Sequence, residues 1–449
     1  MIKSSTEEVV KGDKSFFPPK LVRLRQKLGQ KAKDEPKFRF YSLYGHMCQR
    51  HVLEVSLKLV LKGGSKAAGV DGVTPCSIRS NEHKAIQLID EIELELKEQT
   101  YKPQSIRRVY IPKSNGKLRP LGIPTVKDRV VQRAAVLILE PIFETDFLDC
   151  SHGFRPGRKA HDAIQEVVNN IKDGQEAIYD VDLKGYFDTI PHDKLMACLQ
   201  MRITDSSMLK LIRMWLKAPI IEPKSDKKSQ GTVTRPKEGT PQGGVISPLL
   251  ANIYLHWFDV VFHGKSGPKE KYDARLIRYC DDFVIMTRFH TAEIREFIRF
   301  KIEDWMNLEI NLEKSKEQII NEEGQLASFL GYDMQYQRSR FSHSSRYLKV
   351  FPSNGAIKSA FASIRQLTDK RQSMTPITEL IERLNRFLRG WQQYFSYGHD
   401  YDAYAKIDHY VYMRLIRHLR RRSQRPYKKP EDKSYRRHLE ELGLRRLTG

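Results

Sequence analysis

Cysteine is scarce and scattered in this 449-residue chain, and its spacing excludes the usual structural uses of the residue. The chain has five cysteines, with no Cys-x-x-Cys pair and none after Cys280. An odd number of thiols at irregular spacing excludes a small secreted domain held together by disulfides. We therefore expect free thiols in a reducing compartment, with the cytoplasm as the place of action.

Long hydrophobic runs are also missing. The longest apolar stretch, residues 130–143, is interrupted by Gln132, Arg133 and Glu140. A bilayer-spanning helix needs about 20 consecutive, mainly apolar residues. The first eight residues are polar and lack the apolar segment of a secretory signal. The sequence therefore predicts a protein without a membrane span.

Acidic residues are too few to balance the basic ones. Lys and Arg number 78 against 55 Asp and Glu, which gives a formal net charge of +23 at pH 7. An excess of this size favours a polyanionic partner through direct attraction and counterion release. Because 40% of the residues are hydrophobic, the chain is a folded protein with basic surfaces rather than a disordered basic tail.

An acidic pair between two apolar stretches is the most informative feature of the sequence. Residues 275–286 predict strand, tight turn and strand, which puts Asp281 and Asp282 at the tip of a hairpin. Neighbouring carboxylates oppose each other's ionisation unless they share a cation. The pair therefore predicts a divalent-metal site. An exposed Asp-Asp turn is the simpler alternative for this segment alone.

A further acidic residue follows a second predicted strand. Residues 177–183 are mainly apolar but include Asp182, after which the chain turns away. A carboxylate on a buried strand needs an ion-pair partner or a cation. Asp182 is therefore the candidate third metal ligand. The alternative is that it only caps the N-terminus of the next helix.

Two polar segments are candidates for binding an anionic substrate. Residues 107–124 predict a β-hairpin with Lys113 and Arg119 on opposing arms, and such cations suit a polyphosphate. Residues 239–248 form a glycine-rich segment before a helix and include Gln242, whose amide offers both a donor and an acceptor. Basic hairpins and glycine loops are also common as plain surface, so neither segment is specific by itself.

The pattern of strands and helices predicts an α+β unit over residues 67–350, preceded by an extension over 1–66. Residues 351–424 are helical in pattern, with arginines between the apolar positions, and residues 425–449 form a basic tail. The apolar stripe predicts a bundle core, and the net charge favours a nucleic-acid groove for the arginines. The candidate nucleic-acid contacts are Arg383, Arg386, Arg389, Arg414, Arg417 and Arg421.

Several motifs occur together in an order that resembles one family. They are Asp182 with Phe187, Thr240-Pro241-Gln242-Gly243-Gly244, Tyr279-Cys280-Asp281-Asp282, and the segments 118–124, 152–156, 329–332 and 384–395. Jointly they are similar to the group II intron-encoded reverse transcriptases, over about residues 67–420. Cys280 departs from the family, whose members usually have Ala there. The lack of cysteine after Cys280 implies that the zinc-stabilised His-Asn-His nuclease of some members is absent.

The resemblance implies a right-hand polymerase, with fingers and a palm built on an antiparallel sheet, followed by a helical thumb and maturase domain. It implies addition of dNTPs to a DNA or RNA primer on an RNA template. It also implies binding of intron RNA to assist splicing, and of target DNA, where the protein would associate with the nucleoid.

The resemblance further implies a set of site residues. Two Mg²⁺ ions, which Mn²⁺ can replace, would be held by Asp182, Asp281 and Asp282. Phe187 would lie under the sugar and exclude a 2′-hydroxyl, and Tyr332 falls in the segment that resembles the primer grip. The residues expected to contact the incoming dNTP are Lys113, Arg119, Gln242 and Lys314.

Three other interpretations compete with an intron-encoded polymerase. A splicing factor with an idle polymerase site is opposed by the intact set of three aspartates. A viral-type RNA-templated RNA polymerase is opposed by the bulky Phe187, since such an enzyme must accommodate a ribose hydroxyl. A reverse transcriptase that serves host defence or DNA repair stays open, because its sequence would share the same catalytic motifs.

Overall fold

The computed structural model describes residues 17–64, 66–112, 118–222, 232–289, 291–321, 324–339, 346–422 and 427–448. The chain divides into two compact units, the first ending at Lys316 and the second beginning at Glu317. Both units mix helices and strands, which confirms the predicted α+β class. Lys113 lies outside the described residues.

The first unit contains most of the predicted strands and helices. Its strands are β1 (Ile106–Pro112), β2 (Leu118–Ile123), β3 (Ala177–Val181), β4 (Ile220–Glu222), β5 (Thr232–Thr234), β6 (Arg275–Tyr279) and β7 (Asp282–Thr287). Its helices are α1 (Pro19–Asp34), α2 (Leu43–Met47), α3 (Arg50–Lys62), α4 (Pro75–Arg79), α5 (Glu82–Lys97), α6 (Val126–Phe143), α7 (Ala160–Lys172), α8 (Tyr186–Thr189), α9 (His192–Gln200), α10 (Ser206–Leu216), α11 (Ser247–Phe262), α12 (Pro268–Tyr272) and α13 (Ala292–Arg299), and a π-helix spans Phe300–Trp305.

Two sheets organise this unit. In one, β1 pairs antiparallel with β2 and parallel with β4, which itself pairs antiparallel with β5. In the other, β7 lies between β6 and β3 and is antiparallel to both. The β6 and β7 side chains are almost all buried, as expected for strands covered on both faces. This second sheet brings the two acidic strand ends together.

Helix α6 forms the centre of the first unit's core. Its N-cap is Thr125, whose hydroxyl accepts a hydrogen bond from the backbone N–H of Asp128. Nearly every side chain from Val126 to Phe143 is buried, including the small Ala134 and Ala135. A helix that is buried on nearly all sides must be surrounded by other elements. Its main packing partners are α3 and α1.

The second unit is an antiparallel sheet followed by helices. Strand β8 (Lys316–Ile319) begins at the junction of the units, and β10 (Tyr332–Arg338) lies between β9 (Ala327–Phe329) and β11 (Arg346–Pro352). The helices are α14 (Asn354–Leu367), α15 (Ile377–Tyr394), α16 (Tyr401–Arg421) and α17 (Tyr435–Glu441), and a 3₁₀ turn spans Lys370–Gln372.

The end of the chain packs onto these helices. Leu439 and Leu447 are buried, and the Asp408 carboxylate on α16 accepts hydrogen bonds from the backbone N–H groups of Leu447 and Thr448. Asn385 on α15 donates to the carbonyl of Gly443 over 2.7 Å. The described part of the basic tail is therefore ordered against the helical unit.

Across the residues described here, no helix is both long enough and apolar enough to cross a bilayer.

Candidate active site

The acidic pair lies at the tip of a tight hairpin, as predicted. Tyr279 and Asp282 are the last paired residues of β6 and β7, so Cys280 and Asp281 form a two-residue turn. Cys280 has φ of 61°, the left-handed region that residues with a Cβ rarely adopt. A strained turn persists only when its surroundings hold it in place.

Strand β3 brings Asp182 to the same hairpin. The last registered pair between β3 and β7 is Val181 with Phe283. The next residue on each strand is Asp182 and Asp282, so these carboxylates start from directly opposed backbone positions on one face of the sheet. Two aspartates that lie 100 residues apart in sequence are thereby neighbours in the fold.

Asp180 is a further carboxylate on this face that sequence analysis did not single out. It lies two residues before Asp182 on β3, and successive side chains alternate between the faces of a strand. Burial, together with the charges of Asp282 and Asp182, raises the pKa of the Asp180 carboxyl to about 7. The face therefore has a strongly negative potential, the condition that attracts a cation.

In the structure, a lysine provides a positive charge next to this acidic face. The Lys314 ammonium lies 2.9 and 3.1 Å from the two carboxylate oxygens of Asp182, and Asn311 Nδ2 donates to Oδ2 over 2.9 Å. The backbone N–H of Asp182 also donates to Ser315 Oγ. Lys314 is thus brought to the predicted metal ligand, although sequence analysis assigned it to the triphosphate.

The donor set fits a hard divalent ion, because Mg²⁺ prefers carboxylate oxygens. However, among the residues that the structure describes, no three His, Cys, Asp or Glu side chains are gathered closely enough to hold a metal ion. The Asp182 carboxylate is engaged by Lys314 and Asn311. A metal ion at Asp182 would take the place of the Lys314 ammonium.

A buried ion pair fixes the hairpin from behind. Arg278 on β6 and Asp259 on α11 are both fully buried, and the guanidinium donates to both carboxylate oxygens over 2.9 and 2.5 Å. It also donates to Asn252 Oδ1 and to the carbonyl of Cys280, each over 2.9 Å. Burial opposes the charge of Arg278, but the Asp259 carboxylate outweighs it and raises the pKa of the guanidinium.

This ion pair acts directly on the strained turn. A buried guanidinium is stable only when its donors are satisfied, and here one of them is satisfied by Cys280 itself. Sequence analysis missed Arg278, Asp259 and Asn252. One signal was available, since Asp259 interrupts an otherwise apolar helix and such a residue needs a buried partner.

The His-Gly-Phe-Arg-Pro segment packs against the other side of the turn. The backbone N–H of His152 donates to the carbonyl of Arg278, and the N–H of Arg278 donates to the carbonyl of Cys150. Asn252 Nδ2 donates to the carbonyl of Gly153 over 2.8 Å. Arg155 keeps this loop in shape by donating to the Glu144 carboxylate and to the carbonyl of Ser151.

Gly153 lies at a close approach between this loop and the hairpin. A Cβ at that position would lie 2.5 Å from the backbone nitrogen of Cys280 and 2.9 Å from the carbonyl carbon of Tyr279. We expect Gly153→Ala to displace the hairpin and slow nucleotide incorporation by roughly 100-fold, since a misplacement near 1 Å has about that effect. Primer extension at saturating nucleotide measures the loss.

Gly157→Ala is the matched control, because a Cβ there meets nothing within 4 Å, although its φ of +78° adds some strain. A rate for Gly153→Ala equal to that of the control would show that the close approach is not required.

The expected nucleotide-contacting residues are partly brought together. Gln242 Nε2 donates to Asp188 Oδ2 over 3.4 Å, and the N–H of Thr240 donates to the carbonyl of Phe187 over 2.6 Å. Arg119 on β2 is exposed and lies close enough to lower the pKa of Asp188, which burial raises overall. The segment that carries the half-buried Phe187 is therefore bonded directly to the glycine-rich segment.

Arg108 joins this group and was missed in the sequence. Its guanidinium contacts the Glu222 carboxylate over 3.1 Å and lies 3.9 Å from Asp188. It thereby links strand β1 to the segment that carries Phe187. Nothing in the sequence distinguished Arg108 from its neighbour Arg107, whose guanidinium donates to the Ala68 carbonyl.

Tyr332 is a packing residue rather than a surface contact. Its side chain is fully buried, its hydroxyl donates to the carbonyl of Tyr394, and its ring contacts Phe395. The Tyr332 ring therefore anchors its segment in the core, and the assignment of that segment to the primer grip stays a prediction.

The six candidate arginines differ in availability. Arg414 donates to Thr368 Oγ1 and to the Thr368 carbonyl, which caps the end of α14, so part of its guanidinium is engaged within the protein and its nucleic-acid role stays a prediction. Arg383 pairs with Glu379 over 2.5 Å on the same helix. The exposed members are Arg386, Arg389, Arg417 and Arg421.

Comparisons with known proteins agree with this geometry. Residues 111–334 match the reverse transcriptase (RNA-dependent DNA polymerase) family model, and residues 357–438 match that of the group II intron maturase-specific domain. Protein YkfC of Escherichia coli K12 is 35% identical over 370 residues, which cover 75% of this chain and 93% of YkfC. Group II intron-encoded protein LtrA of Lactococcus lactis is 33% identical over 323 residues, 59% of this chain and about half (52%) of LtrA.

Among solved structures, a telomerase from Candida albicans aligns over 72% of this chain and 60% of its own, with a TM-score of 0.39 and 14% identity. The assignment depends instead on the two family models and on YkfC and LtrA. The chain therefore belongs to the group II intron type of reverse transcriptase, with a polymerase region followed by a maturase-specific domain.

Proposed function

We propose that this chain adds dNTPs to a primer 3′-hydroxyl on an RNA template at the hairpin that carries Asp281 and Asp282. The observation that supports this most directly is the register of β3 with β7, which sets Asp182 beside that hairpin. Bound Mg²⁺ or Mn²⁺ would lower the pKa of the primer hydroxyl and neutralise the triphosphate. Asp182, Asp281 and Asp282 would hold it.

Lys314 has two roles in this proposal. Before metal binds, its ammonium balances the charge of Asp182 at 2.9 Å. When Asp182 turns to a metal ion, Lys314 is released, and its 56% exposed side chain is free to reach the triphosphate. The same side chain thus serves the carboxylate first and the substrate afterwards.

Removing Lys314 should therefore strengthen metal binding in the absence of nucleotide. We expect Lys314→Met to tighten Mn²⁺ binding up to about fivefold, since an exposed ion pair contributes roughly 0.2–1 kcal/mol. Electron paramagnetic resonance of free Mn²⁺ measures the binding. Lys172→Met, at an exposed position of α7, is the control, and unchanged or weaker binding in Lys314→Met alone would contradict the exchange.

The nucleotide itself would lie between Phe187, Gln242 and Arg119. The amide of Gln242 is already positioned by Asp188, and Arg119 adds positive charge at the open side. Phe187 is half-buried and has edge contact with Tyr186 at 5.6 Å, which limits its movement. A ring held in this way can exclude a 2′-hydroxyl by contact alone.

Truncating the Phe187 ring tests whether it excludes the 2′-hydroxyl. We expect Phe187→Ala to reduce the preference for dNTPs over ribonucleotides by about tenfold or more, because steric selection against a small added group has this order of effect. The ratio of kcat/KM values for the two substrates measures it. Phe289→Ala, at a ring that is 79% exposed, should leave the ratio unchanged. An unchanged ratio in Phe187→Ala would remove the residue from this role.

RNA binding would use the exposed arginines of the helical unit. Arg386 and Arg389 on α15, and Arg417 and Arg421 on α16, are exposed and three or four residues apart, so each pair shares a helix face. Such spacing suits successive phosphates. We propose that this surface binds template and intron RNA, and that the intron contact assists splicing.

Primer extension on an RNA template with Mg²⁺ tests the proposal as a whole. Extension with dNTPs and not with ribonucleotides would support it. A folded, RNA-binding chain that extends no primer would favour a splicing factor with an idle polymerase site instead. A role in host defence or DNA repair would share the first result, and splicing of a cognate intron in the presence of the chain separates the two.

A further inference from the structure

The second unit contains a cavity of about 280 Å³, and none of the proposed catalytic or RNA-binding residues line it. It lies where one face of the β10–β11 hairpin meets the first turns of α14 and α16. This volume lies just below the range of about 300–1,000 Å³ that is typical of pockets for drug-sized ligands. The cavity therefore suits one flat heterocycle rather than a larger ligand or a folded peptide segment.

The strand register determines which side chains of β10 and β11 line the cavity. Gln335 pairs with Lys349 across the hairpin, and Gln337 and Phe351 lie two residues further along on the same face. Side chains at i and i+2 of paired strands share one side of a sheet. Two amides, an ammonium and an aromatic ring thus point toward the same space, with the Lys349 ammonium 5.4 Å from the Phe351 ring centre.

A loop adds a third kind of group. The backbone N–H of His399 donates to the carbonyl of Val350 over 2.6 Å, and the N–H of Val350 donates to His399 Nδ1 over 3.3 Å. Because Nδ1 faces the backbone of Val350, a ligand in the cavity would meet the ring through Nε2. Gly398 permits this approach, because a Cβ there would lie 2.5 Å from the Val350 carbonyl oxygen.

The rim is positively charged on one side. Lys406 on α16 is exposed and has no ion-pair partner among the described residues. Lys349 is mostly buried and pairs with the exposed Asp402 carboxylate over 3.3 Å. An anion at the rim would therefore meet the Lys406 ammonium directly. It could also replace Asp402 as the partner of the Lys349 ammonium.

We propose that this cavity holds one unstacked nucleobase of a single-stranded nucleic acid, with its phosphate at Lys406 and Lys349. Stacking on an aromatic ring and hydrogen bonds from amides to base edges are how unpaired bases are bound. The choice of a nucleic-acid ligand depends on the proposed function. The existence of a binding site depends only on the cavity, whose lining residues all belong to the second unit.

The test measures binding of the full chain to a 12-nucleotide single-stranded RNA, and to DNA of the same sequence, by fluorescence anisotropy. It is done in EDTA without dNTPs, so an inactive polymerase site cannot change the result. We expect Phe351→Leu to weaken binding about 5- to 150-fold, since one base stack contributes roughly 1–3 kcal/mol. Whether RNA, DNA or both lose affinity identifies the strand that the cavity takes.

Two matched pairs separate a contact from a fold defect. Gln335→Leu should weaken binding severalfold, whereas Gln366→Leu, at an exposed position of α14, should not. Lys406→Gln should lower the slope of log affinity against log salt by about 0.7, the value for one phosphate on a single strand, and Lys358→Gln should leave it unchanged. A merely structural loss would not change that slope selectively.

Cross-linking locates the base directly. A 4-thiouridine in the RNA, or 4-thiothymidine in the DNA, should cross-link to peptides from β10, β11 or the loop that contains His399. Cross-links only elsewhere would overturn the proposal. So would cavity variants that bind both strands like the wild type, or that lose no more affinity than their matched controls.

Discussion

Asp281→Ala should abolish DNA synthesis while leaving RNA affinity within about twofold of the wild type. The carboxylate lies in the two-residue turn of the β6–β7 hairpin, where it would hold catalytic metal. Metal stabilisation of a phosphoryl-transfer transition state amounts to several kcal/mol, so we expect a loss of at least about 10³-fold. RNA affinity is spread over many phosphate contacts and should not depend on one acidic side chain. Single-nucleotide extension and anisotropy measure the two quantities.

Asp173→Asn is the control, since this aspartate is exposed at the C-terminal end of α7. It should leave both quantities unchanged. A large fall in RNA affinity in Asp281→Ala would contradict the separation of catalysis from RNA binding, and retained synthesis would remove Asp281 from the metal site.

Arg278→Met should destabilise the first unit by about 3–5 kcal/mol, the range found when one partner of a buried ion pair is removed. Methionine has a similar length but no donors, so the buried Asp259 carboxylate keeps its charge without a counter-ion. Asn252 Oδ1 and the Cys280 carbonyl also lose their donor. The shift of the urea unfolding transition, followed by tryptophan fluorescence, measures the change.

Arg275→Met is a matched control on the same strand. Arg275 is 44% exposed and pairs with Asp273 over 2.9 Å, so its loss should change the free energy of unfolding by at most about 1 kcal/mol. Equal effects of the two substitutions would show that burial of Arg278 does not matter. Arg278→Lys keeps the charge but not the forked geometry, and we expect an intermediate loss.

The hairpin that carries Asp281 and Asp282 could be predicted from sequence because the pattern that defines it is local. Two apolar β-branched stretches around Asp281 and Asp282 define strand, turn and strand without reference to any other part of the chain. Asp182 could be identified in the same way, because it directly follows an apolar strand. Their proximity also followed, but only through resemblance to a family.

The supports of the hairpin could not be predicted, because they depend on contacts far apart in sequence. Arg278 meets Asp259, 19 residues earlier, and the carbonyl of Cys150, 128 residues earlier. An arginine between apolar neighbours on a strand gives no indication of which residue will pair with it. Only the folded chain identifies the partner.

The orientation of two side chains in the second unit could not be predicted for a related reason. A motif match identifies the segment in which Tyr332 lies, but not which way its side chain points, and the ring faces the core. Likewise, the arginines of α16 share a composition, yet Arg414 caps α14 while Arg417 remains exposed. Helical spacing alone does not separate these positions, because the packing of the neighbouring helix decides them.

The ion pair behind the hairpin also has a consequence for the order of folding. It connects three chain segments, around Cys150, Asp259 and Arg278, so the hairpin tip is held only after long loops have closed. Contacts of this range form late and slowly. During synthesis, we therefore expect a nascent chain to hold this turn only after the hairpin has emerged and α11 has docked against it.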